Sequence, residues 1–161
     1  DALPAYPAGK NVVLFTKHGI FTKEEVAARE EIHMENYCSV LSIEAGTMVD
    51  MLRRDILPAA SAYAGELARR ALGRPGPSAA RYETSMLTRI SERTDALLAL
   101  CDKLEADLDA APAALQARMT YFHSVILDDM GAARKFADEL ETLVDRKYWP
   151  FPTYSDILFY M

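Results

Sequence analysis

Toward the C-terminal end of the chain, apolar residues recur in alternating steps of four and three. Leu115, Met119, Phe122, Ile126, Ala133, Phe136, Leu140 and Leu143 form the series, with Asp129 interrupting it and Met130 and Val144 widening it. That period places one apolar band along a helix over residues 113–146, about 50 Å long at 1.5 Å per residue. A band of that length calls for other long helices beside it, because a small sheet or a loop cannot cover it. A second stripe, Leu87, Ile90, Thr94, Leu97, Cys101, Leu104 and Leu108, predicts a helix over residues 78–110. The link between the two is very short, so they form an antiparallel hairpin, and Pro112 suits the first turn of the later helix, where a missing amide costs nothing.

Upstream, Thr22 followed three residues later by Glu25 is a capping box, and Phe21 and Val26 on either side suit a hydrophobic staple. The helix that starts there carries Val26, Ile32, Tyr37, Val40, Ile43, Met48, Leu52 and Ile56 as its expected apolar stripe. Pro58 must kink or end it, since proline removes an amide and crowds the preceding turn. The pattern resumes through Ala59, Tyr63 and Leu67 to Leu72, Gly73 stops it, and Arg74, Pro75, Gly76 and Pro77 make the clearest turn in the sequence. Before all this, Pro4, Pro7 and Gly9 mark a connector, and residues 11–16 (NVVLFT) are a β-branched and aromatic run. That run reads as one strand or as an extended segment lying on the bundle, although a single strand has no partner here. After Arg146 the character changes again: six of the fifteen aromatics fall in residues 147–161, so this tail must lie on a surface, its own bundle's or a partner's. Pro150 and Pro152 keep it extended, and Ser155 suits the cap of a final helical turn. The expected fold is all-α: an antiparallel bundle of three to four long helices over residues 22–147, an extended N-terminal segment (1–21) and an aromatic C-terminal tail (148–161).

Composition sharpens this picture by exclusion. With 161 residues, half of them hydrophobic, the chain can bury a real core as one domain. A net charge of −6 argues against nucleic acid, since Arg53, Arg54, Arg69, Arg70 and Arg74 read as helix-surface and last-turn charges. No apolar run is long enough to span a membrane and no signal peptide is visible, which makes the cytoplasm the expected location. Cys38 and Cys101 fall on apolar stripes and read as buried thiols. The chain opens at Asp1 without an initiator Met, so it reads as a piece cut from something longer.

Candidate chemistry is sparse. Glu30 and His33 match half of the carboxylate-bridged di-metal signature of helical bundles, and the second Glu-x-x-His is missing. His123, beside Phe122, reads as packed or capped, and Lys17, His18 and Gly19 as a polar turn or a contact with an adjoining domain. There is no Gly-rich phosphate loop, no Cys-x-x-Cys, and no nucleophile–base arrangement in a recognisable context. The residues alone give a helical bundle without catalytic, cofactor-binding or metal-binding positions.

Two stretches together resemble a known family. One is NVVLFTKHGIFTKEEV (11–26), followed by REEI (29–32), ENYC (35–38), IEA (43–45) and DILP (55–58); the other is DELETLV (138–144) running into KYWPFPTYSDILF (147–159). Both are similar to the C-terminal region of type III glutamine synthetases, and DALP (1–4) resembles the segment where that family leaves its catalytic core. The similarity runs from end to end and is weakest over residues 59–113. It implies a parent glutamate–ammonia ligase that uses ATP and Mg (or Mn), forms a γ-glutamyl phosphate and assembles into double-ring oligomers. The family's metal ligands, nucleotide contacts and catalytic arginines lie upstream in a β-rich core, so none is carried over to this chain. The resemblance implies a structural and assembly module whose partners are its own upstream catalytic domain and neighbouring subunits. The expected interface is Phe15, Lys17, His18, Phe21, Tyr148, Trp149, Phe151, Tyr154 and Phe159. The alternative is a regulatory bundle that binds a protein or small effector and tunes the ligase.

Overall fold

The computed structural model describes residues 3–73 and 80–159, and every regular element among them is helical. A 3-10 turn (Leu3–Ala5) precedes α1 (Gly9–Lys17), α2 (Lys23–Met51), α3 (Leu57–Leu72), α4 (Arg81–Asp109), α5 (Leu115–Tyr121), α6 (Leu127–Leu143) and the short α7 (Tyr154–Leu158). Wide π-type turns, Leu52–Ile56 and Phe122–Ile126, join α2 to α3 and α5 to α6, with the Leu57 and Leu127 amides each bonding the carbonyl five residues back. The bundle therefore consists of three rods: residues 23–72, 81–109 and 115–143.

Pro58 accounts for the first wide turn. A regular helix would leave the Arg54 carbonyl facing a residue with no amide, and the π-type turn re-registers the ladder just ahead of the proline. The rod continues instead of ending, and Leu52 and Ile56 stay in the core at 2% and 7% exposure.

Cross-links between rods fix an antiparallel register. Arg53 reaches Asp102 at 2.7 Å, and Arg93 reaches Glu139 at 2.9 Å. Nearer the turn of the hairpin, Lys103 meets Asp129 at 2.7 Å and the Tyr121 hydroxyl donates to Asp107 at 3.2 Å. Between the rods, Leu41, Ala45, Leu67, Ile90, Leu97, Leu104, Ile126 and Leu140 belong to one contiguous core. Cys101 lies in it, and both Cys38 and Cys101 are buried free thiols, as expected. At 1.5 Å per residue the first rod is about 75 Å long and the other two about 43 Å. The first rod therefore outruns the hairpin, and roughly 20 Å at the start of α2 projects as an arm. Val26, Met34 and Cys38 are buried outside the main core, in the part of α2 against which the 3-10 turn, α1 and α5 lie.

Four expectations need correction. Residues 11–16 are neither strand nor extended, but the body of α1. A lone strand would leave its amides unpaired, whereas a helix satisfies them within the segment. Asn11 Nδ2 donates to the Ala5 carbonyl at 2.8 Å and Thr16 Oγ1 to the Val12 carbonyl at 2.8 Å, which reinforces the helical turns. The stripe assigned to α2 holds at Val26, Leu52 and Ile56, which are buried, and at Tyr37 and Met48, which pack against the core. It fails at Ile32, Val40 and Ile43, which are 60%, 43% and 70% exposed, while Met34, Cys38, Leu41, Ala45 and Val49 are buried. Pro112 lies in the α4–α5 connection, not in a first turn, and its carbonyl accepts from Arg118 Nε at 2.8 Å. Leu72, expected to continue the stripe of α3, is 88% exposed. The predicted turn at Arg74–Pro77 lies outside the described residues.

Candidate interaction surface

At the N-terminal end, Gly19 adopts a φ of 66°, the left-handed conformation that lets the chain reverse from α1 into α2. The capping box then forms as predicted: Glu25 N–H donates to Thr22 Oγ1 at 3.2 Å, and Thr22 N–H donates to Glu25 Oε2 at 2.7 Å. This reversal folds α1 back and gathers a chain of rings. Tyr6 and Phe15 are 5.7 Å apart, Phe15 and Phe21 are 5.6 Å apart, and the Arg29 guanidinium sits 4.2 Å over the Phe21 ring. His33 meets Tyr6 edge-on at 6.0 Å.

Of the expected interface residues, Phe15 and Phe21 are thus half-buried and brought together, whereas Lys17 and His18 are exposed at the end of α1. What α1 leaves open is apolar: Val13, Leu14 and Ile20 are 62%, 51% and 54% exposed. On α2, residues 32, 40 and 43 fall within about 80° of helical arc, so Ile32, Val40 and Ile43 make a second apolar stripe facing away from the core. Sequence reasoning merged this stripe with the buried one. The signal that separates them is that α2 carries apolar residues on two faces, and only one can enter the bundle.

The C-terminal tail behaves differently. Tyr148, Trp149 and Phe151 pack half-buried against the bundle's own core, with Tyr148 5.4 Å from Tyr63. The Asp145 carboxylate accepts from Lys147 N–H at 2.9 Å, turning the chain after α6. Thr153, not Ser155, opens α7: its hydroxyl accepts from Asp156 N–H at 3.3 Å, and the Asp156 carboxylate accepts from Thr153 N–H at 2.9 Å. Arg146 pairs with Asp156, which fastens α7 to the end of α6. Those Thr153 bonds, with Arg146 beside them, hold the Asp156 carboxyl below its ordinary value. Past this clasp Ile157, Leu158 and Phe159 are 67%, 70% and 74% exposed. The Tyr154 side chain lies outside the described part.

No group of three or more His, Cys, Asp or Glu side chains is placed to hold a metal among the described residues, and no described helix is long and apolar enough to cross a membrane. His123 is exposed on the second π-type turn, 3.4 Å from the Tyr37 hydroxyl. Arg53, Arg54, Arg69 and Arg70 are all in ion pairs, and Arg74 lies outside the described residues. The described surface thus offers apolar contact area at both ends of the chain, around Val13, Leu14 and Ile20 and around Ile157, Leu158 and Phe159.

Comparison with known proteins relates the chain to one group of enzymes. Residues 1–73 match the profile of the family described as Glutamine synthetase C-terminal domain. The chain is 34% identical over 164 residues to a glutamine synthetase of Butyrivibrio fibrisolvens and 29% identical over 168 residues to the type-3 glutamine synthetase of Dictyostelium discoideum. A glutamine synthetase of Bacteroides fragilis is 25% identical over 168 residues. Each alignment takes in 99% of this chain and 23% of the relative, so the chain spans about a quarter of the length of these proteins. Residues 1–73 thus carry the glutamine synthetase C-terminal domain signature, and the chain is similar along its whole length to one segment of the same enzymes.

Proposed function

We propose that this chain is a non-catalytic structural and assembly module of a type III glutamine synthetase. The parent enzyme makes glutamine from glutamate, ammonia and ATP with Mg or Mn, and the groups that do so reside in polypeptide outside this chain. In this reading residues 1–21 and 148–161 are the docking parts and residues 22–147 the scaffold that holds them. The partners are the upstream catalytic region and neighbouring subunits, in the cytoplasm.

One observation carries the reading. The bundle buries its own core, yet the projecting arm keeps a second row of large aliphatic side chains in water. Isolated exposed apolar residues are ordinary, but Val13, Leu14, Ile20 and Ile32 are gathered on or beside one overhanging helix. A helix apolar on two faces is suited to lie between two bodies. The tail contributes less than its aromatic content suggests, because Tyr148, Trp149 and Phe151 are already engaged with the bundle.

The test is Val13→Asp combined with Ile32→Asp in the full-length enzyme. Both side chains are more than half exposed, so the isolated 161-residue chain should melt within about 0.5 kcal/mol of the parent. Sedimentation should show the intact enzyme falling to smaller species. An oligomer of unchanged size with unchanged activity would remove the arm from assembly.

A further inference from the structure

A cleft of about 700 Å³ opens where the middle of α2 meets the α4–α5 connection and the start of α5. One cation and one anion line it, Arg118 and Glu35. The two form no ion pair with each other, and among the described residues neither has an ion-pair partner elsewhere. For Arg118 this is unusual: the other half-buried arginine among the described residues, Arg93, is neutralised by Glu139 at 2.9 Å. Arg118 gives only its Nε, to the Pro112 carbonyl at 2.8 Å, which fixes the plane of the guanidinium and leaves the two terminal nitrogens to donate elsewhere. A guanidinium drawn partly out of water and left without a carboxylate is a costly arrangement unless an anion joins it.

The rest of the lining sets what that anion is attached to. Ser39 and Ser42, one turn apart on α2, supply hydroxyls, and Leu115 and Phe122 supply an apolar wall. Glu35 repels a dianion, and Arg118 repels a simple cation. A molecule carrying both charges satisfies both groups at once. The volume lies in the range of small-molecule sites and is too large for an inorganic ion alone.

We propose that this cleft binds a small zwitterion of the α-amino-acid or short-peptide class with an apolar side chain, its carboxylate on Arg118 and its ammonium on Glu35. Ile43 of the exposed aliphatic stripe also lines the cleft, but Arg118 and Glu35 lie outside that stripe, so loss of binding in their variants is distinguishable from loss of assembly. Cys38, 5% exposed, lines the same cleft and gives a local reporter, because an occupant shields its thiol from alkylation.

The 161-residue chain is titrated with L-leucine and with L-leucyl-L-leucine, followed by calorimetry and by amide chemical shifts. Saturable binding of at least one is expected, with shifts confined to residues 35–42 and 115–122 and slower alkylation of Cys38. The N-acetyl form of whichever ligand binds, which lacks the ammonium, and its C-terminal amide, which lacks the carboxylate, should each bind at least ~10-fold more weakly than that ligand. Glu35→Gln and Arg118→Gln should each weaken binding of the better ligand by a similar factor. Glu35 is exposed on a helix, so E35Q keeps the test valid even if R118Q loosens the α4–α5 connection. The proposal is overturned if neither ligand saturates up to its solubility, if the N-acetyl form of the ligand that binds retains its affinity, or if E35Q retains full affinity.

Discussion

Asp129 stands where an apolar residue would continue the stripe of the third rod, and it is buried to 8% exposure. Lys103 makes this tolerable: its Nζ donates at 2.7 Å to both Asp129 oxygens and at 2.7 Å to Asp107 Oδ2. Hydrogen bonds to Asp107 and Asp129 push the Lys103 ammonium above its ordinary value, so it stays charged through the working pH range. The two carboxyls respond in opposite directions. Lys103 holds Asp107 below the usual carboxylate range, so Asp107 contributes stability above its unfolded pKa and loses it as pH falls through the depressed folded value. Burial pushes Asp129 up, so its ionisation opposes folding as pH rises, in spite of Lys103. Replacing Lys103 by Met leaves two neighbouring carboxylates without their cation, one of them buried. Since Lys103 is itself half exposed, the expected loss at pH 7 is about 1–3 kcal/mol, toward the low end of what breaking a buried pair costs. Denaturant melts of K103M and the parent should converge as pH falls, with Asp129 taking up its proton first and Asp107 only below the usual carboxylate range. A gap independent of pH would mean the effect is packing, not charge. The sequence flagged Asp129 only as an interruption; its partner, 26 residues away on another rod, was not visible in a one-dimensional pattern.

Among the elements, legibility followed how local the cause was. The capping box depends on residues three apart, so Thr22 and Glu25 could be read directly and both bonds are present. The third rod and α4 each carry one apolar face, and their predicted stripes coincide with the buried residues Ile90, Leu97, Cys101, Leu104, Ile126 and Leu140. In α2 the periodicity itself was ambiguous, because two apolar faces blur into one another, and β-branched Ile32, Val40 and Ile43 outscored Ala45 and Met34 as core candidates. The run at residues 11–16 was misread for a related reason: β-branched residues favour strands only when a sheet is there to receive them. The cap is open to a clean test. Thr22→Ala should cost about 1 kcal/mol in the local stability of the arm. Amide exchange over residues 23–26 should speed up about fivefold, while amides around Leu97 remain unchanged. Equal acceleration in both places would mean that arm and hairpin unfold as one unit.

For the molecule as a whole, the division of labour between its ends changes what a deletion would mean. Cutting after Arg146 looks from the sequence like the removal of a docking tail. In the folded chain it also strips Tyr148, Trp149 and Phe151 from the core, so the bundle itself should lose at least about 3 kcal/mol, seen as a lower urea midpoint. An unchanged midpoint would show that these rings contribute nothing to the fold. The cleft beside Cys38 was equally invisible in the sequence, since Glu35 and Arg118 come to line one cleft only when α5 returns along α2.

Trp149 is the chain's single indole, and it sits at the seam between tail and bundle. Its ultraviolet emission is therefore a gauge wired to one joint. A red shift that precedes the loss of helical circular dichroism would register the tail lifting away while the rods still hold, with no label attached to the protein.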